Sequence, residues 1–298
     1  MNAFFVNCFI FLAGIRFLKS YLSLTEYPSH KFIYFVKINN YLTHPPTVNS
    51  IGIPFLELQS VDSTNNYARG LLHEGLAHHG LAIFAHEQLQ GKGQRGKTWV
   101  SEQDANIILS VVINPRPLQI TEQFQMTVCT AVAIHDFFSN YAGNDTRIKW
   151  PNDLYWQDRK AGGILIENVI SAGKPETDRW KWAIIGTGIN INQTSFSPDL
   201  KNPVSLRQIT GKSFDPVALA KELCSLLDEK IKQLIAGSFE QFFFEYLSLL
   251  YKKNETVKLR KDNRFFEATI LGVSHNGKLI TQHSIEEEFD FGEIEWII

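Results

Sequence analysis

Gly91-Lys92-Gly93-Gln94-Arg95-Gly96-Lys97-Thr98-Trp99 admits two readings, and the choice between them decides the fold. Letter for letter, Gly91 to Thr98 satisfies the phosphate-binding pattern G-x-x-x-x-G-K-S/T. That pattern works where a buried strand runs through the loop straight into a helix whose N-terminus faces the phosphates. Here the apolar run Leu81-Ala82-Ile83-Phe84-Ala85 ends too early, with His86, Glu87, Gln88 and Gln90 standing before Gly91. Downstream, Ser101-Glu102-Gln103-Asp104 leads into Ile107-Ile108-Leu109-Ser110-Val111-Val112-Ile113, which reads as a strand. No helix opens at Lys97, and no apolar strand ending in a magnesium-binding Asp is evident. The stretch is therefore a loop between strands. Its glycines let backbone N–H groups approach a ligand, and Lys92, Arg95 and Lys97 supply positive charge for an anion.

Working outward, strands and helices alternate without a strict βαβ rhythm, and the chain reads as an α+β fold. Residues 55–59, 81–85, 107–113, 147–150, 153–156, 163–169 and 182–191 have strand character, with Gln157-Asp158 as a tight turn. Asp62 or Ser63 can cap a helix ending near Gly75. Thr121 can cap a long helix with Phe124, Val128, Ala131, Val132, His135 and Phe138 at helical spacing. Asp215 can cap another, and residues 239–250 form a strongly aromatic last helix. After Lys252-Lys253-Asn254 the texture changes to closely spaced short strands with an Asn276-Gly277 hairpin signal, as in a small β-barrel. This divides the chain into residues 1–50, an N-terminal extension; 51–253, the large α+β unit; and 254–298, the small barrel.

The bulk properties exclude several classes of function. A net charge of −2 leaves no basic field for nucleic acid. The apolar residues of 3–24 are interrupted by Asn7, Arg16 and Lys19, short of the ~18–20 residues a membrane span requires. The charges follow the apolar stretch, which argues against a signal peptide and leaves a weak anchor or a mis-assigned start for residues 1–50. Cys8, Cys129 and Cys224 show no metal or disulfide spacing, and the nine histidines form no ligand set; the expected compartment is the cytoplasm.

Other segments carry chemistry of their own. Ser63-Thr64-Asn65 can cap a helix or offer hydroxyl and amide groups to a ligand. Lys149-Trp150-Pro151-Asn152-Asp153 interrupts a strand region with polar and breaking residues. Gly162-Gly163 lets a strand backbone lie against a ligand, and Gly186-Thr187-Gly188-Ile189-Asn190 repeats small residues at a strand end.

Together, in this order and spacing, Asp62-Ser63-Thr64-Asn65-Asn66, Glu87-Gln88 with the glycine loop, Lys149 to Asp153 with Arg159-Lys160-Ala161-Gly162-Gly163, and Gly186 to Asn192 closely resemble the biotin protein ligases, over about residues 54–298. The resemblance implies a class II synthetase-like catalytic domain, a mixed β-sheet with packed helices, followed by a C-terminal SH3-like barrel. No N-terminal helix-turn-helix pattern is seen. It implies ATP-dependent conversion of biotin to biotinyl-5'-adenylate, with Mg2+, and transfer to one lysine of a biotin carboxyl carrier domain. By resemblance, Ser63, Thr64 and Asn65 bind the ureido ring and Gln88 contacts biotin. Gly91, Lys92, Gly93, Gln94, Arg95, Lys97 and Trp99 form a loop that closes over the adenylate. Asp153 orients or deprotonates the acceptor lysine, Lys160 bridges the biotin carboxylate and the α-phosphate, and Asn190 contacts the nucleotide. Lys149, Asn152 and Gly163 complete the expected site. Residues 193–207 are a candidate adenine-side loop. The family's G-R-G-R-x-G-R becomes G-K-G-Q-R-G-K, so Gln94 replaces an arginine, and either Arg95 or Lys97 is left to neutralise the phosphate. Two alternatives stand beside this reading: a lipoate or octanoate ligase on the same fold, and a non-catalytic biotin sensor. The first has a Gly-Gly-His signature not found here; the second would lack the loop and Lys160.

Overall fold

A computed structural model describes residues 50–171 and 179–297; Cys8 and the expected extension before residue 50 lie outside them. Seven strands form a mixed sheet: β1 (Phe55–Leu58), β2 (Ala82–Ala85), β3 (Ile107–Ile113), β4 (Thr146–Lys149), β5 (Asp153–Trp156), β6 (Arg159–Ile170) and β7 (Trp180–Ile189). Their order is β1-β2-β3-β7-β6-β5-β4; β1 and β2 run parallel and the other pairs antiparallel.

β3 explains the layering. All seven of its residues are buried, so it lacks the polar alternation of a strand with one wet face. Ile107, Leu109, Val111 and Ile113 pack in the main core with α2 (Gln123–Ala142) and the helix at Pro216–Ile235. Ile108 and Val112 face the other way, in a smaller cluster containing Ala68 of α1 (Thr64–His73). Truncating a core residue such as Leu109 to Ala would cost about 2–5 kcal/mol. The one polar residue of β3, Ser110, is fully buried on the α1 side.

The remaining helices named among the described residues are α3 (Leu206–Thr210), α4 (Pro216–Ile235) and α5 (Phe239–Ser248). Asp215 caps α4, its carboxylate accepting from the N–H groups of Val217 (2.9 Å) and Ala218 (3.2 Å). Thr121 does not cap α2: residues 120–122 form a single tight turn, and Glu122 is the cap residue. Ser63 is the N-cap of α1, yet its side chain makes no capping bond.

Five antiparallel strands, β8 (Thr256–Lys261), β9 (Arg264–Val273), β10 (Leu279–Gln282), β11 (Glu286–Phe289) and β12 (Glu295–Trp296), follow in the order β11-β10-β9-β8-β12. Gly277, at φ +85°, makes the β9–β10 turn expected from Asn276-Gly277. Leu259, Ile270, Leu279, Phe289 and Trp296 belong to the same buried cluster as α2, α4 and α5, so this small β unit shares the main core. No helix among the described residues is long and apolar enough to cross a membrane.

Candidate active site

Register determines where the site lies. On the α1 face of the sheet, Gly186 stands opposite Ser110 of β3 and Leu165 of β6, and Gly188 opposite Ile108 and Gly163. Three glycines in adjacent positions leave the sheet bare there, and Asp153 continues the row opposite Gly163, with Lys149 opposite Asp153. Thr187 falls on the other face, where its hydroxyl is buried without a partner among the described residues.

Lys160 reaches this face through a bulge. Asp153 pairs with Gly163 and Leu154 with Gly162, but Tyr155 pairs with Lys160, leaving Ala161 as an extra residue on β6. Strand alternation alone would place Lys160 and Gly163, three apart, on opposite faces; the bulge brings them together. Lys160 Nζ donates to Asp153 Oδ1 at 2.7 Å, directly above Gly163.

Above the bare sheet lies a cavity of about 500 Å³. Of the residues expected at the site, Ser63, Thr64, Asn65, Gln88, Lys92, Gly93, Gln94, Lys97, Trp99, Lys149, Asn152, Asp153, Lys160, Gly163 and Asn190 line it; Gly91 and Arg95 do not. Gly91 forms the neck of the loop, where Trp99 N donates to its carbonyl at 2.9 Å and a Cβ would strike the Trp99 carbonyl. Arg95 sits at φ 55°, a left-handed turn that aims its side chain out of the cavity. Its guanidinium donates to the Phe291 carbonyl at 2.9 Å and lies 5.8 Å from that ring, in space a side chain at Gly292 would occupy.

One end of the cavity is a wired polar pocket. The Thr64 N–H and hydroxyl both donate to Gln88 Oε1 (2.8 and 3.2 Å), which leaves Gln88 Nε2 as a donor for a ligand. The Ser110 hydroxyl lies 2.7 Å from Thr64 Oγ1 and 2.6 Å from Asn65 Oδ1, while Asn65 Nδ2 donates to Glu167 at 2.8 Å. Asn65 is thus committed to the protein, and Ser63, freed from capping, keeps its hydroxyl. The Trp99 indole lies over Gly188 with its N–H unpartnered among the described residues.

The other end is cationic. Lys97, Lys149, Lys160 and Lys201 line it with Asp153, Asp158, Asp199 and Glu295, while Lys92 donates to Asn66 Oδ1 at 2.5 Å beside the polar pocket. Asp153 is paired to Lys160, Asp158 to Lys252 and Glu295 to Arg260. Lys149 and Lys97 have no carboxylate partner among the described residues. Lys149 Nζ donates to the Tyr155 hydroxyl at 3.2 Å and lies 4.8 Å from the Tyr155 ring and 5.3 Å from the Trp296 ring. Burial pushes its pKa down to about 8, Asp153 opposing and Lys160, Lys97 and Lys201 adding to the drop. Asn152 donates to the Ile164 carbonyl at 2.5 Å and Asn190 to the Val204 carbonyl at 3.1 Å; both also hold backbone in place.

Sequence reasoning gave no role to Ser110, Glu167 or the aromatic wall of Phe291 and Trp296; Lys201 belongs to the 193–207 segment expected as an adenine-side loop, of which Phe196 and Asp199 to Pro203 line the cavity. Ser110 alone left a signal, as a lone hydroxyl in an apolar strand.

A family model described as the biotin/lipoate A/B protein ligase family matches residues 57–189. The chain is 30% identical over 233 residues to a bifunctional ligase/repressor BirA of Bacillus spizizenii, covering 76% of this chain and 69% of that protein. It is 28% identical over 230 residues to a biotin–acetyl-CoA-carboxylase ligase of Paracoccus denitrificans, covering 75% of this chain and 92% of that one. The solved structure of an Aquifex aeolicus biotin protein ligase in complex with biotin and ATP resembles it with a TM-score of 0.68 at 25% identity, covering 82% of this chain and 98% of that chain.

Proposed function

Because the chain belongs to the biotin protein ligases of the biotin/lipoate A/B protein ligase family, we propose that it activates biotin with ATP and transfers the biotinyl group to a lysine of a biotin carboxyl carrier domain. The observation that carries this reading is the Lys160–Asp153 pair above Gly163, in the cationic part of a cavity that also holds the polar pocket. The polar pocket takes the ureido ring, with Ser63 and the Gln88 amide offering hydrogen bonds. The cationic end takes the triphosphate. A carboxylate oxygen of biotin attacks the α-phosphorus, the bond to the bridging oxygen breaks, and pyrophosphate leaves with the electron pair. Lys160 stands where negative charge gathers, and a charge-assisted hydrogen bond there is worth about 1.5–3 kcal/mol. Lys160 drawn to the phosphate releases Asp153, which then holds the ammonium of the acceptor lysine.

Magnesium accompanies ATP as its charge neutraliser. The described residues contain no group of three or more His, Cys, Asp or Glu that could hold a metal, and no residue is assigned to it. We divide the protein into a catalytic unit, residues 51–253, and a small β unit, 254–298, which adds Phe291 and Trp296 to the cavity wall. The free, buried Cys129 and Cys224 agree with a cytoplasmic protein. The test is incubation of the purified protein with a carrier domain, ATP and biotin, lipoate or octanoate, read by mass. Biotin-dependent addition on one lysine is expected. Addition of lipoyl or octanoyl groups instead, or none, rejects the proposal.

A further inference from the structure

Transfer poses a problem that activation does not. The acceptor lysine arrives as an ammonium, and its nitrogen has no lone pair for attack until a proton leaves. Asp153 is the neighbour best placed to hold that ammonium, but a carboxylate is a far weaker base than an amine and a poor match for the proton that must leave.

Lys149 stands directly opposite Asp153 in the β4–β5 register, on the same face and in the same cavity. Antiparallel partners have Cα atoms about 4.5–5.5 Å apart, so an ammonium held by Asp153 lies beside the Lys149 side chain. Lys149 has no carboxylate partner of its own among the described residues and is enclosed by the Tyr155 and Trp296 rings. We propose that Lys149, as a neutral amine, is the base that takes the proton from the acceptor lysine in the transfer step. The inference rests on the ligase reading above.

The step balances. One N–H bond of the acceptor ammonium breaks and its proton forms the Lys149 ammonium. The freed lone pair attacks the acyl carbon, and the bond from that carbon to the phosphate oxygen breaks, its electrons leaving with AMP. The second proton, shed as the nitrogen becomes an amide, goes to water, as does the proton on Lys149 before the next turnover.

The surroundings favour the neutral form. Burial is the first cause, and Lys160 of β6, Lys97 of the glycine loop and Lys201 of the segment before α3 add to it, while Asp153 of β5 opposes; together they bring Lys149 to about 8. Tyr155 of β5 accepts its hydrogen bond, and Glu295, beside Trp296 in β12, is occupied by Arg260 and Lys201. The triphosphate brings negative charge that keeps Lys149 protonated. Departure of pyrophosphate removes most of it, so the base is freed when transfer begins.

The experiment separates the half-reactions. Biotin-dependent pyrophosphate release measures activation. Single-turnover transfer from bound biotinyl-adenylate to a carrier domain, between pH 6 and 10, measures the second step. Lys149→Arg keeps the cation and abolishes the base. Transfer at pH 7.5 should fall about 10²–10⁴-fold, and by at least tenfold more than activation does. Transfer within threefold of wild type overturns the proposal; so does an equal loss of both steps, which would make Lys149 a phosphate anchor alone. Lys201→Met, at a side chain 69% exposed, removes a cation that depresses Lys149 and should move the midpoint of the transfer profile to higher pH. An unmoved midpoint overturns the proposal even if Lys149→Arg does not fold. If wild type forms no biotinyl-adenylate, the ligase reading itself has failed.

Discussion

Lys149→Met should make the protein more stable while damaging its function. The substitution keeps the length and apolar stem of the side chain and removes the ammonium. Burial, with three neighbouring lysines, lowers the Lys149 pKa from 10.5 to about 8. The lowering from 10.5 to about 8 makes the folded-state ammonium cost roughly 3–4 kcal/mol. The lost Tyr155 hydrogen bond and the two ring contacts give back about 1–2 kcal/mol. The variant should therefore be about 2 kcal/mol more stable at pH 7, where most substitutions destabilise. The pH dependence follows from the direction of the shift. Between about 8 and 10.5 the unfolded chain holds a proton that the folded protein has released, so wild-type stability rises with pH through that window. Below pH 8 the cost is fully present. The gap between the proteins should be flat from pH 6 to 7.5 and mostly closed by pH 10. Urea unfolding followed by tryptophan fluorescence across this range measures it. A variant less stable than wild type at pH 7, or a gap that does not narrow, would refute the reasoning.

Three further predictions concern the cavity. Lys160→Ala should reduce biotin-dependent pyrophosphate release at least 10²-fold with a melting temperature near wild type, because the pair it leaves is one-third exposed at Lys160 (34%); release near the wild-type rate would remove its assigned role. Gly186→Ala places a Cβ on Asn65 Oδ1, so biotin affinity by calorimetry should fall at least tenfold as the first turn of α1 lifts from the sheet. Gln94→Arg restores a charge where Gln94 now donates only to the Ile164 carbonyl at 3.4 Å; it should slow adenylate dissociation about ten- to a hundredfold, and Arg95→Ala, which unfastens the loop from Phe291, should speed it. Equal off-rates in all three proteins would show that the loop side chains do not retain the adenylate.

Much of the site was legible because its chemistry is local in sequence. The glycine loop, the Lys149 to Asp153 segment and the Gly186 to Asn190 segment each carry their polar residues together, and the strand at β3 is plain from its apolar run. What could not be read depends on register or on distant packing. No pattern announces the bulge at Ala161, since nothing in Arg159 to Gly163 marks the residue left unpaired. Phe291 and Trp296 reach the cavity from segments remote from the motifs, through a core that β8 to β12 share with the helices. Arg95 looked like one of three equivalent cations, but the left-handed turn at its own backbone sends it to the small β unit. Ser63 held the cap position as expected and yet left its hydroxyl unspent, because the Gln88 side chain meets the Thr64 N–H instead.

The bulge at Ala161 turns part of this enzyme into a ruler. Lys149, Asp153, Lys160 and Gly163 meet on one face only because the unpaired residue corrects the parity of the strand between them. Chemical identity is therefore not the whole constraint on this segment; its count is. Side chains along the outer edge of the hairpin can change while the spacing holds. Removing a single residue between Lys160 and Gly163 would keep every reactive group and every hydrogen-bonded strand, and point the lysine away from the substrate. Length variation in descendants of this chain should accordingly collect in the loops around the hairpin and be missing from its interior.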